Sequence, residues 1–205
     1  MSLLIPTSTR PVFNWAGARA TGAAHAASGV PCQDAFALHM GTCRGEPYLV
    51  AAVADGAGSA QFAEHDSCFA VTRFSAFVLE ELPAWGLDGL DALALDAVFG
   101  VHRSLRRMAS DASLSADQFA TTLLGMIVTP HHTSLLQIGD GGIVMGNEQS
   151  GWRAVFPPQH GEYHNESRFI TDADAFDWLQ QSQHGGPPQT LVAFTDGLED
   201  LLLYP

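Results

Sequence analysis

Basic charge is scarce in this chain: Lys and Arg number 9 against 22 Asp and Glu, for a formal net charge of -13. A protein that grips a nucleic-acid backbone does so mainly by displacing counterions with Lys and Arg, so no nucleic-acid partner is expected. Cysteine is scarce too. Cys32, Cys43 and Cys68 are odd in number and form no CxxC, which indicates neither a disulfide framework nor a zinc knuckle and suits a reducing cytoplasm. Long apolar runs are missing: none approaches the ~20 residues that span a bilayer. The opening MSLLIPTSTR lacks the charged start and longer apolar core of a secretory signal, so a cytoplasmic protein without membrane attachment is expected.

What is present is core material. Hydrophobic residues make up 46% of 205 positions and charged residues 15%, enough for one packed domain over 1–205 and no case for disorder. The surplus acid fits a site that collects divalent cations, although a solubilising surface accounts for most of it.

Two stretches share one grammar. Residues 49–54 (LVAAVA) run into Asp55-Gly56, and residues 191–195 (LVAFT) run into Asp196-Gly197. A short apolar strand ending in a carboxylate and then a glycine delivers a hard oxygen ligand at a strand end, with the glycine letting the backbone turn and a carbonyl approach the same ion. An isolated Asp-Gly is more often a turn. Neither of these leads into a partner strand, so a metal site is the better reading. A third carboxylate, Asp34, opens a strand expected over 33–40 that turns through 41–47 into the strand over 48–54. Antiparallel pairing then sets Asp34 beside Asp55. If the strand ending at Asp196 joins them, three carboxylates converge with no Lys or Arg nearby in sequence, an arrangement a divalent cation would relieve. Oxygen-only ligands favour Mg²⁺ or Mn²⁺ over Zn²⁺.

Elsewhere, residues 13–29 are compatible with a first strand and a glycine-rich loop. Residues 67–82 place Ala70, Phe74, Phe77 and Val78 on one helical face, with Asp66 or Ser67 as cap, and residues 88–108 predict a second amphipathic helix. Arg103, Arg106 and Arg107 read as its solvated end, where cations suit the dipole. Strands are expected over 119–128, 134–138, 143–145 and 152–156, a short helix over 172–181, and a break over 185–189. Strands and helices in separate groups, with short antiparallel connections, predict an α+β fold of sheets packed face to face with helices outside.

The ordered motifs PCQDAF (31–36), VADGAGSA (53–60), FATTLLG (119–125), IGDGGIV (138–144) and FTDGLED (194–200) resemble the metal-dependent protein phosphatases of the 2C family. GEYHNES (161–167) followed by RFIT, together with His25 ahead of the QD pair, resembles the family's bacterial branch. The resemblance implies a four-layer α-β-β-α sandwich with two Mn²⁺ or Mg²⁺ ions, hydrolysing phosphoserine and phosphothreonine. Carried over by motif, Asp55 would bridge the metals, the Gly56 carbonyl would bind one and Asp196 the other, and Asp34 would hold a metal-bound water. His25 would serve as a phosphate donor or general acid, since the family's phosphate-gripping Arg position is Gly29 here; the alternative is an exposed loop histidine. Asp140 would be structural, in a hairpin turn, and the hydroxyls of Thr121 and Thr122 would bond groups around the centre. The expected chemistry is in-line attack by a hydroxide formed between the metals, with no cysteine nucleophile, consistent with the lack of a Cys-x5-Arg loop. Expected partners are a phosphorylated protein and a serine/threonine kinase system. The family's last strand and final metal-binding Asp have no counterpart up to Pro205. The alternative to an active phosphatase is accordingly a weak or inactive module that binds a phosphoprotein or regulatory partner; some other two-metal hydrolase is a third reading.

Overall fold

A computed structural model describes residues 13–87, 89–147, 151–157, 159 and 167–198. Its strands are β1 (Asp34–Cys43), β2 (Glu46–Asp55), β3 (Leu123–Val128), β4 (His132–Ile138), β5 (Gly142–Asn147), β6 (Gly151–Ala154), β7 (Gln180–Gly185) and β8 (Thr190–Phe194), and its helices α1 (Ala23–Ser28), α2 (Ala63–Trp85) and α3 (Leu90–Asp111). Five strands form one antiparallel sheet in the order β1-β2-β3-β4-β7, and three form a second in the order β6-β5-β8. The β1–β2 turn is only Arg44 and Gly45, at φ 52° and 87°. Two left-handed residues match the twist of the flanking strands, so the strands run further into the predicted 41–47 turn than the sequence suggested.

Side-chain alternation assigns each face of the larger sheet. Val50, Ala52, Ala54, Leu123, Ile127 and Leu136 pack with Phe74, Val78, Leu93, Val98 and Val101 of α2 and α3. Their neighbours Ala51, Leu124, Met126 and Leu135 point the other way and meet Ile143 of the smaller sheet. The result is the expected α+β sandwich of two antiparallel sheets, with α2 and α3 on the outer face of the larger one. The helical layer expected outside the smaller sheet is not among the described residues.

Four local expectations change. Residues 13–29 hold no strand; their regular element is α1. Residues 172–181 are not a helix: a 3-10 turn covers Ala175–Asp177 and the chain then enters β7, pairing Gln137 with Gln180 and Ser134 with Gln183. The polar run QQSQHG has weak strand propensity, and pairing with β4 overrides it. Asp140 does not sit in a hairpin, because β4 and β5 belong to different sheets; Gly139 and Gly141, at φ 103° and 88°, swing the chain from one to the other. Finally, α2 begins ahead of the expected cap, at Ala63.

That earlier start carries Asp66 inside the helix, where it is wholly buried and neither carboxylate oxygen finds a hydrogen-bond partner among the described residues. Its one ionic neighbour among the described residues is the exposed His65 at 3.6 Å. Burial pushes the Asp66 carboxyl up from 3.8 to about 6 despite that imidazole. The folded state therefore favours the protonated acid, and this contribution to stability, full below the ordinary carboxylate range, is lost as pH rises through about 6. Between about pH 5 and about pH 8 the wild type should lose roughly 1 kcal/mol that Asp66→Asn retains, read as the difference in urea midpoints at the two pH values. A variant whose midpoint tracks the wild type across that range contradicts the assignment.

Candidate active site

The site is built at the end of β2. Asp55 pairs in register with Asp34 across the β1–β2 hairpin, and directly opposed residues of an antiparallel pair project to the same face. Beyond Asp55 the backbone is pinned on two sides: Gly56 N–H donates to the Gln33 carbonyl at 3.1 Å and Ala57 N–H to the Ala120 carbonyl at 2.9 Å. Thr121 and Thr122 hold Asp55 itself. The Thr121 hydroxyl donates to the Asp55 carbonyl at 2.9 Å, and the Asp55 N–H donates to Thr122 Oγ1 at 2.9 Å. Both threonines are buried, so their hydroxyls fix the carboxylate's mount rather than meet solvent.

Asp196 arrives from the other sheet. It follows β8 and opens a 3-10 turn over Asp196–Leu198, while β8 is registered on β5 by the pair Gly142 and Phe194. A side chain at Gly141 would stand 2.5 Å from the Phe194 carbonyl oxygen, so the Asp140–Gly141 turn reaches the strand leading to Asp196 only because residue 141 is glycine.

The aspartates interact. Burial first, then the charges of Asp34, Asp196 and Asp140, push the Asp55 carboxyl up to about 8, and its hydrogen bond with the Asp196 carboxyl adds to the shift. Asp55, Asp140 and Asp196 line an open cleft of about 1010 Å³, together with Gly56 and Thr122. Asp34 is set one strand back and does not line it; its Oδ2 accepts from the Cys32 thiol at 3.6 Å. Cys32 is half-buried, as a small packed residue would be. His25 is also outside the lining. It lies exposed on α1, where its carbonyl accepts the Val30 N–H at 2.9 Å and the Ser28 hydroxyl. Residues 161–166 of the GEYHNES motif, and Glu199 and Asp200 of FTDGLED, lie outside the described residues.

The donor set of carboxylates plus a backbone carbonyl is chemically that of a hard divalent cation. Among the described residues, no three carboxylate, imidazole or thiolate groups stand close enough to cage an ion by themselves. An ion held here would therefore complete its shell with water, which is how Mg²⁺ is ordinarily carried.

The sequence reading missed the far wall of the cleft. Arg106, Asp117, Ser167, Arg168, Asp172 and Asp174 all line it. The Ser167 hydroxyl donates to Asp140 Oδ2, and Asp172 Oδ2 accepts the Phe169 N–H at 2.9 Å. The Asp172 carboxyl is held above its ordinary range, first by burial. Only the RFIT segment signalled this wall in the sequence, and it did so as part of a motif without assigned contacts.

A profile of the family described as Protein phosphatase 2C matches residues 21–205. The chain belongs to that family. It is 34% identical over 187 residues to Serine/threonine-protein phosphatase 3 of Escherichia coli (strain K12), a match spanning 91% of this chain and 74% of that one. Among solved structures, its fold is similar to that of PppA, described as a key regulatory component of T6SS in Pseudomonas aeruginosa, with a TM-score of 0.60 at 17% identity over 82% of this chain and 78% of the other. It is similar as well to a bacterial serine phosphatase, with a TM-score of 0.60 at 14% identity over 83% and 74% of the two chains. At such identities the structural likeness speaks for the fold alone. The protein is thus a serine/threonine phosphatase of the 2C type, in a metal-dependent family. Among its described residues no helix is long and apolar enough to cross a membrane.

Proposed function

We propose that this 2C-type phosphatase removes phosphate from phosphoserine and phosphothreonine in proteins, at a Mn²⁺ or Mg²⁺ pair held by Asp55, Asp196 and the Gly56 carbonyl, with Asp34 holding a metal-bound water. The observation that carries the reading is the half-buried Asp55 paired in register with Asp34 and sharing one cleft with Asp140 and Asp196, a setting that pushes its carboxyl up to about 8. Like charges gathered in a half-buried mount are unfavourable unless a cation joins them. When bound, such a pair supplies Lewis acidity and makes water a nucleophile near neutral pH. The chain's own part is positional. Thr121 and Thr122 lock the Asp55 backbone, the hairpin register holds Asp34 opposite, and Gly141 admits the Asp196 strand. The open cleft leaves room for a phosphorylated side chain with its flanking peptide. In the cell the reading places the enzyme in the cytoplasm, opposite a serine/threonine kinase system.

A phosphothreonine peptide tests this. Phosphate release should require Mn²⁺ or Mg²⁺, stop in EDTA, and fall by at least about 100-fold in Asp196→Asn. Release that persists in EDTA and in that variant would sink the proposal. Specific binding of the phosphopeptide without release under any divalent cation would favour the binding module instead, a reading that draws on the lack of a ready-made three-group cage among the described residues.

A further inference from the structure

Resting on the phosphatase reading above, we propose that Arg168 and Arg106 form an anion subsite in the cleft, which receives the carboxylate of an acidic residue flanking the phosphorylated serine or threonine. These two are the cations among the described residues that line the cleft. In a chain with 22 acids to 9 bases, a guanidinium has no shortage of partners, yet neither residue makes an ion pair among the described residues. The next residue on α3 behaves differently: Arg107 pairs with Asp111 one turn on, at 3.6 Å, as a solvated helix end does. Arg106 turns into the cleft, where Nη1 donates to the Thr171 carbonyl at 2.8 Å.

Arg168 is mounted for recognition. Its guanidinium carbon lies 4.2 Å from the centroid of the Trp178 ring. The platform is tied down in turn, since the indole N–H donates to Asp174 Oδ2 at 3.2 Å and the Trp178 carbonyl accepts the Gln159 amide. A guanidinium stacked on an aromatic face keeps its planar edge for the fork-shaped contact that carboxylates accept, and loses little freedom on making it. Its Nε is shielded from solvent and has no hydrogen-bond partner among the described residues, so contact with a ligand falls to the outer Nη groups. Two carboxylates of the same wall accept bonds from elsewhere, Asp172 from the Phe169 N–H and Asp174 from the indole, and although the Arg168 charge acts on Asp172, neither carboxylate forms an ion pair with a guanidinium among the described residues.

The location selects a flanking residue over the phosphoryl group. Arg168 follows Ser167, whose hydroxyl touches Asp140, and Asp140 is one of the charges acting on Asp55. The subsite is therefore beside the aspartate end and displaced along the wall, where a peptide carrying its phosphoryl group at the aspartates would lay its next side chains.

Binding tests this without turnover. Fluorescent phosphonate analogues of a phosphothreonine peptide, flanked either by Glu or by Gln, are titrated with the Mn²⁺-loaded enzyme and followed by anisotropy. The Glu peptide should bind about tenfold tighter, the worth of one charge-assisted contact, and the gap should narrow with salt. Arg168→Glu should erase or invert the preference, Arg168→Lys should keep part of it, and Arg106→Glu should reduce it. Equal affinity of the wild type for the two peptides overturns the proposal, whatever the variants do. So does an Arg168→Glu that weakens both peptides by the same factor, which would make Arg168 a phosphoryl contact. Preference retained alongside absent phosphate release from the corresponding phosphopeptides would support the subsite and count against the phosphatase reading alone.

Discussion

Asp55→Asn should lower phosphate release by about 10³-fold and at the same time stabilise the metal-free chain. The two effects have one cause. The Asp55 carboxyl sits where burial and the charges of Asp34, Asp196 and Asp140 all oppose its ionisation, pushing it up to about 8. Its folded value stands above the ordinary 3.8, so the protonated form stabilises the fold at low pH and that contribution is lost as pH rises through about 8. A neutral amide of nearly the same shape cannot ionise, so its advantage over the wild type appears as pH rises toward and above about 8. Asp55 is only half-buried, so a fraction of the full shift is expected, about 2 kcal/mol, or roughly 4–8 °C in Tm for a chain of this size in EDTA above about pH 8. Loss of activity with an unchanged or lower Tm in EDTA would show that Asp55 is not the strained member of the group.

The same linkage governs metal binding. Ions that bind through Asp55 must displace its proton, so the apparent affinity for Mn²⁺ should weaken as pH falls below about 8, with about one proton released per ion pair bound. The stability sacrificed in the empty site is in this sense a store of cation affinity. Active sites commonly trade stability for function in this way.

The β1–β2 hairpin shows what could be read from the sequence. A single turn between two apolar runs constrains register, so Asp34 opposite Asp55 followed from spacing alone, and the structure pairs them. Asp196 was harder. Its approach depends on how one sheet lies on the other, and that is decided by Gly141 passing the Phe194 carbonyl, a contact between residues far apart in sequence. The threonines occupied an intermediate position. Their hydroxyls were expected near the centre, but their partner, the Asp55 backbone, becomes visible only through the bridge between Gly56 and Thr121. Strand β7 was not legible, because QQSQHG carries no apolar alternation and owes its conformation to the open edge of β4. Arg168 was invisible for a similar reason: its significance lies in the stack on Trp178, whose ring a helix over 172–181 would have aimed elsewhere.

Gly56→Ala should be among the most damaging substitutions in the chain outside the core. A Cβ at residue 56 would stand 2.1 Å from the carbonyl oxygen of Ala63 and 2.5 Å from its carbonyl carbon, well inside contact distance of backbone that cannot rotate away. Ala63 is the first residue of α2, so relief requires moving the start of a 23-residue helix packed on β1 and β2. The other side cannot give either, because Gly56 N–H is bonded to Gln33 and the residue bridges to Thr121. Overpacking of a rigid contact costs about 3 kcal/mol, or roughly 6–12 °C in Tm for a chain of this size. Gly58→Ala is the control: the nearest atom to a Cβ there is Gln33 Oε1 at 3.7 Å, an ordinary contact, and its Tm should stay within about 2 °C of the wild type. A Gly56→Ala protein that melts like that control would mean the β2 end and the α2 start are not in close contact.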